Sequence, residues 1–225
     1  MAKTVLFVIT SHDTLGDSGQ KTGTWAEEVA APYYVFKNAG WQVKLASVKG
    51  GKVPVDAASL QGDFKTASVD KFLADSEAMA AFENTVSLSQ VADSQPDAVF
   101  LPGGHGPLWD LPGNKTLDTL LEKTFAAGKI VSAVCHGPCG LLGAKTAGGD
   151  SILKGKRCTG FANSEEDAVG KSQVVPFSLE DRMKEVGGLF EKAGDWTSFA
   201  IAEGNLITGQ NPQSSEKVAQ LVLAA

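Results

Sequence analysis

Short apolar runs that alternate with amphipathic segments constrain the fold of this chain more than any other feature. Helical periodicity separates the runs and favours parallel pairing, with helices on both faces of the sheet. The sequence therefore predicts an α/β fold with a mostly parallel sheet. The predicted strands cover residues 4–9, 41–47, 97–101, 129–134 and 206–208. The predicted helices cover 24–39, 72–82, 114–127, 136–146, 179–193 and 212–224.

The length of 225 residues predicts a single domain over 1–225, and the less regular segment 48–95 leaves room for a small inserted cap. The chain has 20 Lys and Arg against 26 Asp and Glu, a formal net charge of −6, and no basic cluster. This balance argues against nucleic acid as a partner. No apolar run approaches the roughly 18 residues of a membrane span, and the run near the start is too short for a secretory signal. Three cysteines make a disulfide framework improbable, so a reducing cytoplasm is the expected location.

The strongest functional signal is the segment Ile130-Val-Ser-Ala-Val-Cys-His-Gly-Pro138, in which a buried strand runs directly into Cys135. Small and turn-forming residues follow, as is typical of a nucleophile elbow. At such a turn, the helix dipole and nearby N–H groups are expected to lower the pKa of the thiol, and the thiolate is the reactive form. An inert buried thiol is the alternative interpretation, and it is the one we expect for Cys139 and Cys158.

A glycine-rich loop, Leu101-Pro-Gly-Gly-His-Gly-Pro107, follows another predicted strand. Consecutive glycines let the backbone approach a ligand closely, and the N–H of Gly104 is the candidate donor to an oxyanion. A plain tight turn is the alternative, but the elbow on another strand end favours the oxyanion role. Gly103 and His105 in this loop, together with Pro138, are further candidates for the substrate pocket.

Glu28 is a candidate proton-handling residue. It lies on the flank of an apolar helical stripe, where a carboxyl costs free energy unless it is paired or protonated. Its neighbour Glu27 fits a capping box with Thr24 and so has a structural role. The alternative for Glu28 is an ordinary solvated side chain on a helix.

The three histidines, His12, His105 and His136, limit the mechanism. A papain-like protease or a Cys-His-Glu amidotransferase needs a histidine well downstream of its nucleophile, and the sequence has none after residue 136. Any Cys–His pair must therefore use His136 or His105. The spacing of His, Cys and Asp does not resemble a zinc site, and no phosphate fingerprint is present, so we expect neither a metal nor a cofactor.

Taken together, these motifs resemble the ThiJ/PfpI superfamily, which includes the parkinsonism-associated deglycase. Within it, the chain is most similar to the branch of small heat-shock chaperones with glutathione-independent glyoxalase (glyoxalase III) activity. The resemblance implies a flavodoxin-like three-layer sandwich, similar to class I glutamine amidotransferases. It rests on Lys21-Thr-Gly, Glu28-Val-Ala-Ala-Pro32, Gly104-His-Gly, Ala133-Val-Cys-His-Gly-Pro138, Thr159-Gly-Phe161 and Leu206-Ile-Thr-Gly-Gln-Asn-Pro212.

The resemblance also implies roles for individual residues. Cys135 would be the nucleophile, His136 its neighbouring histidine and Glu28 the carboxyl that shares the thiol proton. The amides of Gly104 and His136 would be the oxyanion donors. In this branch an acidic residue after the Thr-Gly-Phe motif orients the histidine, and spacing favours Glu166 over the adjacent Glu165.

The reaction implied is the conversion of methylglyoxal to lactate through a hemithioacetal on Cys135, with Glu28 or His136 moving the proton between carbons and no cofactor. Deglycase activity is a close relative of this reaction. The resemblance implies a homodimer and adds unfolded or glycated proteins as partners. The alternatives are a stress-response holdase chaperone, a redox sensor that oxidises Cys135, and a peptidase or amidase of the PfpI type.

Overall fold

The computed structural model describes residues 2–225. The strands are β1 (Thr4–Ile9), β2 (Gln42–Ser47), β3 (Val86–Ser87), β4 (Ala98–Leu101), β5 (Ile130–Val134), β6 (Arg157–Cys158), β7 (Leu189–Phe190), β8 (Ala200–Glu203) and β9 (Leu206–Gly209). The α-helices are α1 (Ala26–Asn38), α2 (Ala67–Ala74), α3 (Ser76–Glu83), α4 (Pro107–Asp110), α5 (Lys115–Ala126), α6 (Asn163–Ala168), α7 (Leu179–Glu185) and α8 (Ser215–Ala224).

A seven-stranded sheet with the order β3-β2-β1-β4-β5-β9-β8 forms the centre of the molecule. Its pairs are parallel except for the antiparallel hairpin of β8 and β9. Helix α1 connects β1 to β2, towards one edge of the sheet, whereas α5 connects β4 to β5, towards the other edge. Because both crossovers are right-handed, the two helices lie on opposite faces of the sheet. Helix α8 packs beside α1. The predicted α/β fold, a mostly parallel sheet between two helical layers, is confirmed.

The hydrophobic core is densest where β1 and β4 meet α1. Phe7 lies 4.8 Å from Phe100 and 6.0 Å from Phe36, measured between ring centroids, and all three side chains are fully buried. Because strands buried on both faces need apolar side chains at every position, β4 contains the uninterrupted run Ala-Val-Phe-Leu. This core fixes the ends of the strands from which the functional loops emerge.

Three predicted helices differ from those observed. The helix predicted over 72–82 is two helices, α2 and α3, because Asp75 ends the first and its carboxylate caps the second. The segment 136–146 is a short 3₁₀-helix, Gly137–Leu141, followed by turns. The helix predicted over 179–193 ends at Glu185, since Gly187 adopts a left-handed backbone and the chain continues into β7.

The short elements β3, β6, β7, α4 and α6 were not predicted, and two further differences concern β8 and the start of α1. Strand β8 was not predicted, and it forms the antiparallel edge of the sheet through a tight turn at Gly204. The capping box of Thr24 and Glu27 is wrong. Helix α1 begins after Trp25, the Thr24 hydroxyl donates to the carbonyl of Gly103, and Glu27 accepts a hydrogen bond from Thr66.

The segment 48–95 contains α2, α3 and short 3₁₀ turns, and it packs on the outside of α1. Tyr33 and Phe72 join the two parts edge to face at 5.3 Å, and Phe82 lies 5.5 Å from Phe72. The prediction of one domain over 1–225 stays a prediction. Within residues 2–225, no helix has both the length and the apolarity needed to cross a bilayer.

Candidate active site

Cys135 lies at a strained bend directly after β5. Its φ of 59° is in the left-handed region, which residues other than glycine rarely adopt. Backbone hydrogen bonds hold it there, because its N–H donates to the carbonyl of Gly209 at 3.0 Å and its carbonyl accepts from the N–H of Phe161 at 2.8 Å. The elbow thus aims the sulfur away from the sheet edge in a fixed direction.

Gly103 and Gly137 allow the loop that follows β4 to approach this elbow. A Cβ on Gly137 would lie 2.1 Å from the carbonyl oxygen of Leu101, and one on Gly103 would lie 2.6 Å from the His136 nitrogen. Neither distance is possible for a real side chain, so both positions require glycine. The close approach brings the carboxyl ends of β4 and β5 together at one site.

Two backbone amides at the elbow, those of Gly104 and His136, are the oxyanion donors that the sequence predicts. Gly104 has a left-handed backbone with φ 85°, and its N–H lowers the pKa of the Cys135 thiol, as a donor directed at the sulfur does. Among the described residues, the His136 N–H has no backbone or side-chain acceptor. The two amides are therefore available to a negatively charged oxygen on a group bound to Cys135.

Glu28 is fully buried in α1 and faces the elbow from behind. Its Oε2 accepts the N–H of Gly103 at 2.6 Å, whereas Oε1 has no nitrogen or oxygen partner in the described part of the chain. Burial raises the pKa of Glu28 to about 8, although hydrogen bonds with Cys135 and Gly103 oppose the rise. The carboxyl consequently carries a proton at neutral pH, next to the thiol.

Burial also raises the pKa of the Cys135 thiol well above its usual range, and the Glu28 carboxyl raises it further once it is ionised. The expectation of a lowered thiol pKa is therefore wrong. The elbow is followed by the short 3₁₀-helix Gly137–Leu141 rather than by a long α-helix whose dipole would favour the thiolate. A thiol in this environment needs a neighbouring base to remove its proton.

The ring of His136 lies between the Cys135 thiol and the Glu166 carboxyl, where a base and its orienting partner would stand. His136 Nδ1 lies 3.4 Å from the sulfur of Cys135, and its Nε2 lies 2.6 Å from Glu166 Oε2. Burial raises the pKa of Glu166, but the two neighbouring histidines outweigh it and hold that pKa well below its usual range. Glu166 is therefore an ionised carboxylate that fixes the ring of His136, as the third member of a catalytic triad does.

The adjacent Glu165 has a different set of contacts. Its oxygens accept from the N–H of Ala162 at 3.1 Å, the N–H of Trp196 at 2.9 Å and the side-chain amide of Asn211 at 2.8 Å. Because all its partners are backbone or amide donors, Glu165 joins α6 to the loops around it. The geometry thus separates the two glutamates between which the sequence left the choice open.

His105 completes the polar cluster. Its Nε2 lies 2.8 Å from Glu166 Oε1, and burial together with the charge of His136 lowers its pKa to about 4, so the ring is neutral. Side-chain donor atoms of His105, His136 and Glu166 all lie within 4.8 Å of one another, a grouping that could hold a metal ion and that sequence spacing did not reveal. Here each Glu166 oxygen is hydrogen-bonded to one histidine.

A cavity of about 560 Å³ opens over Cys135. Its lining is mostly apolar and includes two partly exposed aromatic side chains at the rim, Phe64 and Trp196. Trp196 has a φ of 60°, so its backbone is strained in the same way as that of Cys135. The full lining consists of Trp25, Ala58, Phe64, Gly104, His105, Cys135, His136, Phe161, Val169, Lys171, Trp196, Pro212 and Gln213.

Of the predicted pocket residues, His105 lines this cavity, whereas Gly103 and Pro138 do not. Gly103 lies against Glu28, and Pro138 is the second residue of the buried 3₁₀-helix. No role was predicted for the aromatic side chains of the lining. Phe161 could have been found from its place in the Thr159-Gly-Phe161 motif, but Trp196 lies in a loop without any such signal.

Similarity to known proteins extends over nearly the whole chain. A profile of the DJ-1/PfpI family matches residues 21–225. The chain is 33% identical to Glyoxalase 3 of Candida albicans, over 100% of this chain and 98% of that protein. It is 32% identical to the glutathione-independent glyoxalase HSP31 of Saccharomyces cerevisiae, over 96% of this chain and 95% of that protein. The crystal structure of glyoxalase III from Candida albicans superposes with a TM-score of 0.91 at 31% identity, over 99% of this chain and 97% of that one.

Proposed function

The chain belongs to the DJ-1/PfpI family, and on that premise we propose that it is a glutathione-independent glyoxalase of the glyoxalase III type, which converts methylglyoxal to lactate through Cys135. One observation carries the proposal: a strained cysteine lines an apolar cavity, between a buried protonated carboxyl and a histidine held by a carboxylate. Two full-length relatives with glyoxalase names support the reaction class.

Activation of the thiol is the first step of the proposed mechanism. His136 Nδ1 takes the proton of Cys135 across 3.4 Å, and the Glu166 carboxylate stabilises the imidazolium that results. Glu28 remains protonated, so no second negative charge opposes the thiolate, and its proton is available for sharing with the sulfur. The raised pKa of the thiol is therefore compatible with catalysis.

The thiolate then attacks the aldehyde carbon (C1) of methylglyoxal. A carbon–sulfur bond forms, and the π electrons of the carbonyl move to its oxygen. The N–H groups of Gly104 and His136 are in position to stabilise that oxyanion, which accepts the proton held by His136 to give the hemithioacetal. Because the thiol of Cys135 forms the adduct that glutathione forms in other glyoxalases, no cofactor is required.

Isomerisation and hydrolysis complete the reaction. A base removes the proton on C1, an enediol forms, and a proton is delivered to the neighbouring carbon (C2), which leaves a thioester on Cys135. Water hydrolyses the thioester to lactate and frees the thiol. The net reaction is therefore the conversion of methylglyoxal and water to lactate, and it consumes no oxidant. The cavity of about 560 Å³ is large for a three-carbon substrate, which favours a side activity on larger adducts such as glycated side chains. The homodimer and the protein partners stay predictions.

The test is lactate formation from methylglyoxal in the absence of glutathione, with Cys135→Ser and Cys139→Ser compared with the wild type. Cys139 is a fully buried core thiol outside the cavity, so its substitution is the matched control. We expect lactate from the wild type and from Cys139→Ser, and none from Cys135→Ser. Undiminished turnover by Cys135→Ser would refute the proposal.

A further inference from the structure

His105 lines the cavity that contains Cys135, and one of its two ring nitrogens is buried without a hydrogen-bond partner among the residues that the structure describes. The residue is 5% exposed, and its Nδ1 has no hydrogen-bond partner among residues 2–225. Its Nε2 lies 2.8 Å from Glu166 Oε1, and an ionised carboxylate can only accept. Nε2 therefore carries the hydrogen, and the buried Nδ1 retains an unshared electron pair.

In the resting enzyme, the other two candidate bases are already engaged. His136 uses Nε2 for Glu166 and Nδ1 for the sulfur of Cys135, whose proton it handles. Glu28 is bound by the N–H of Gly103 and does not line the cavity, so it has no direct route to the substrate carbons. A base for the carbon-bound proton must be both in the cavity and uncommitted, and His105 meets both conditions.

On the basis of the proposed glyoxalase function, we propose that His105 is the catalytic base that carries a proton from C1 to C2 of the substrate bound to Cys135. Nδ1 takes the proton from C1 of the hemithioacetal, and the electrons of the C–H bond form the double bond between C1 and C2. The oxygen on C2 becomes the enediol hydroxyl by taking the proton lost from the C1 hydroxyl. Nδ1 then returns its proton to C2, and the carbonyl of the thioester forms at C1.

Of the charged groups around His105, Glu166 is the one that favours a transient cation. The Glu166 carboxylate holds Nε2–H and stabilises the imidazolium, in the manner of an orienting carboxylate in a triad. His136, whose ring centroid lies 4.3 Å away, and Lys171 oppose a second positive charge. Proton transfer by His105 must therefore follow the return of the His136 proton to the hemithioacetal oxygen, which gives the order of the steps.

Two substitutions separate a base from a positioning residue. His105→Gln places an amide N–H where Nε2–H stands, so it can still donate to Glu166, but it removes the Nδ1 electron pair. His105→Asn keeps a polar atom near Nδ1 and is too short to reach Glu166. His12→Gln is the control for the type of substitution, since His12 stacks on Trp109 outside the cavity.

The experiment measures kcat for lactate formation, the isotope effect with methylglyoxal deuterated at C1, and the rate of Cys135 alkylation by iodoacetamide. We expect His105→Gln to lose about 100-fold or more in kcat with a larger isotope effect, an alkylation rate close to wild type and partial rescue by added imidazole. His12→Gln should match the wild type. A kcat close to wild type in His105→Gln would overturn the inference. So would a fall in kcat that is accompanied by an equal fall in the alkylation rate and by no increase in the isotope effect.

The same data distinguish this inference from the proposed function. If the wild type makes no lactate, or Cys135→Ser makes as much, the glyoxalase proposal fails and the role of His105 fails with it. If those two proteins behave as proposed but His105→Gln keeps its rate, or His105→Asn alone is impaired, the function stands and His105 only positions Glu166.

Discussion

Replacing Glu28 by Gln should stabilise the fold and slow the enzyme at the same time. Glu28 is fully buried, and the amide oxygen of a glutamine can still accept the N–H of Gly103. The substitution removes the proton that Glu28 shares with Cys135. It also removes the free energy that the fold loses by burying a group that can ionise. We expect kcat to fall about 100-fold.

The magnitude of the stabilisation follows from the pKa of Glu28, which burial raises from 4.5 to about 8. A raised pKa means that the folded state binds the proton more tightly than the unfolded chain does. The stability that depends on this proton is fully present below a pH of about 4.5 and is lost as the pH rises through about 8. Each pH unit in that window costs about 1.4 kcal/mol, so the carboxyl costs the fold about 3 kcal/mol at neutral pH.

The assay is urea unfolding of the wild type and Glu28→Gln at several pH values between about 5 and about 7. The difference in unfolding free energy should grow in favour of Glu28→Gln by about 1.4 kcal/mol per pH unit. Glu27→Gln is the matched control. Glu27 is only partly buried and bonded to Thr66, so its trend should have the same sign and be weaker. A difference that does not change with pH, or that changes in the opposite direction, would refute the reasoning.

Three further outcomes are expected. Gly103→Ala should abolish lactate formation, because a Cβ there would lie 2.6 Å from the His136 nitrogen and 2.9 Å from the Glu28 carboxyl oxygen. Gly148→Ala is the control: the nearest atom to its Cβ would be 3.7 Å away, so it should match the wild type in the same assay. Glu165→Ala should lower the urea midpoint, since three donors lose a buried acceptor at a cost of about 3 kcal/mol. Glu166→Gln should lower kcat about 100-fold, because it removes the charge that orients His136; a Glu166→Gln protein that keeps its full kcat would contradict the division of roles. Trp196→Gly should relieve the strain of the positive φ. Because Trp196 lines the cavity, the substitution should lower kcat/KM for phenylglyoxal more than for methylglyoxal; equal losses for the two substrates would show that Trp196 does not recognise the substrate.

The central strands and the elbow could be predicted because their signals are local. A continuous apolar run followed by Cys135-His136-Gly137 requires a buried strand that ends in a sharp turn, whatever surrounds it. The length of the helix after the elbow could not be predicted. It depends on the close approach of Gly137 to the carbonyl of Leu101, which lies far away in the sequence.

The electrostatics of the site were also beyond the sequence. The rise in the pKa of the Cys135 thiol comes chiefly from burial, and burial is a property of the whole fold. Similarly, the Glu166 bridge to His105 and His136 joins helix α6 to two separate loops, so spacing indicated the His136 contact but not the second one. The aromatic rim of Phe64 and Trp196 comes from segments without a periodic pattern.

The most direct test of the account is to observe the covalent intermediate on Cys135. Wild-type protein mixed with methylglyoxal and quenched in acid within one turnover should carry one substrate-derived adduct on the peptide that contains Cys135. That adduct should decay as lactate appears, and it should be absent from Cys135→Ser. Lactate formation at full rate with no adduct on that peptide, or with an adduct that persists unchanged while lactate accumulates, would contradict the account.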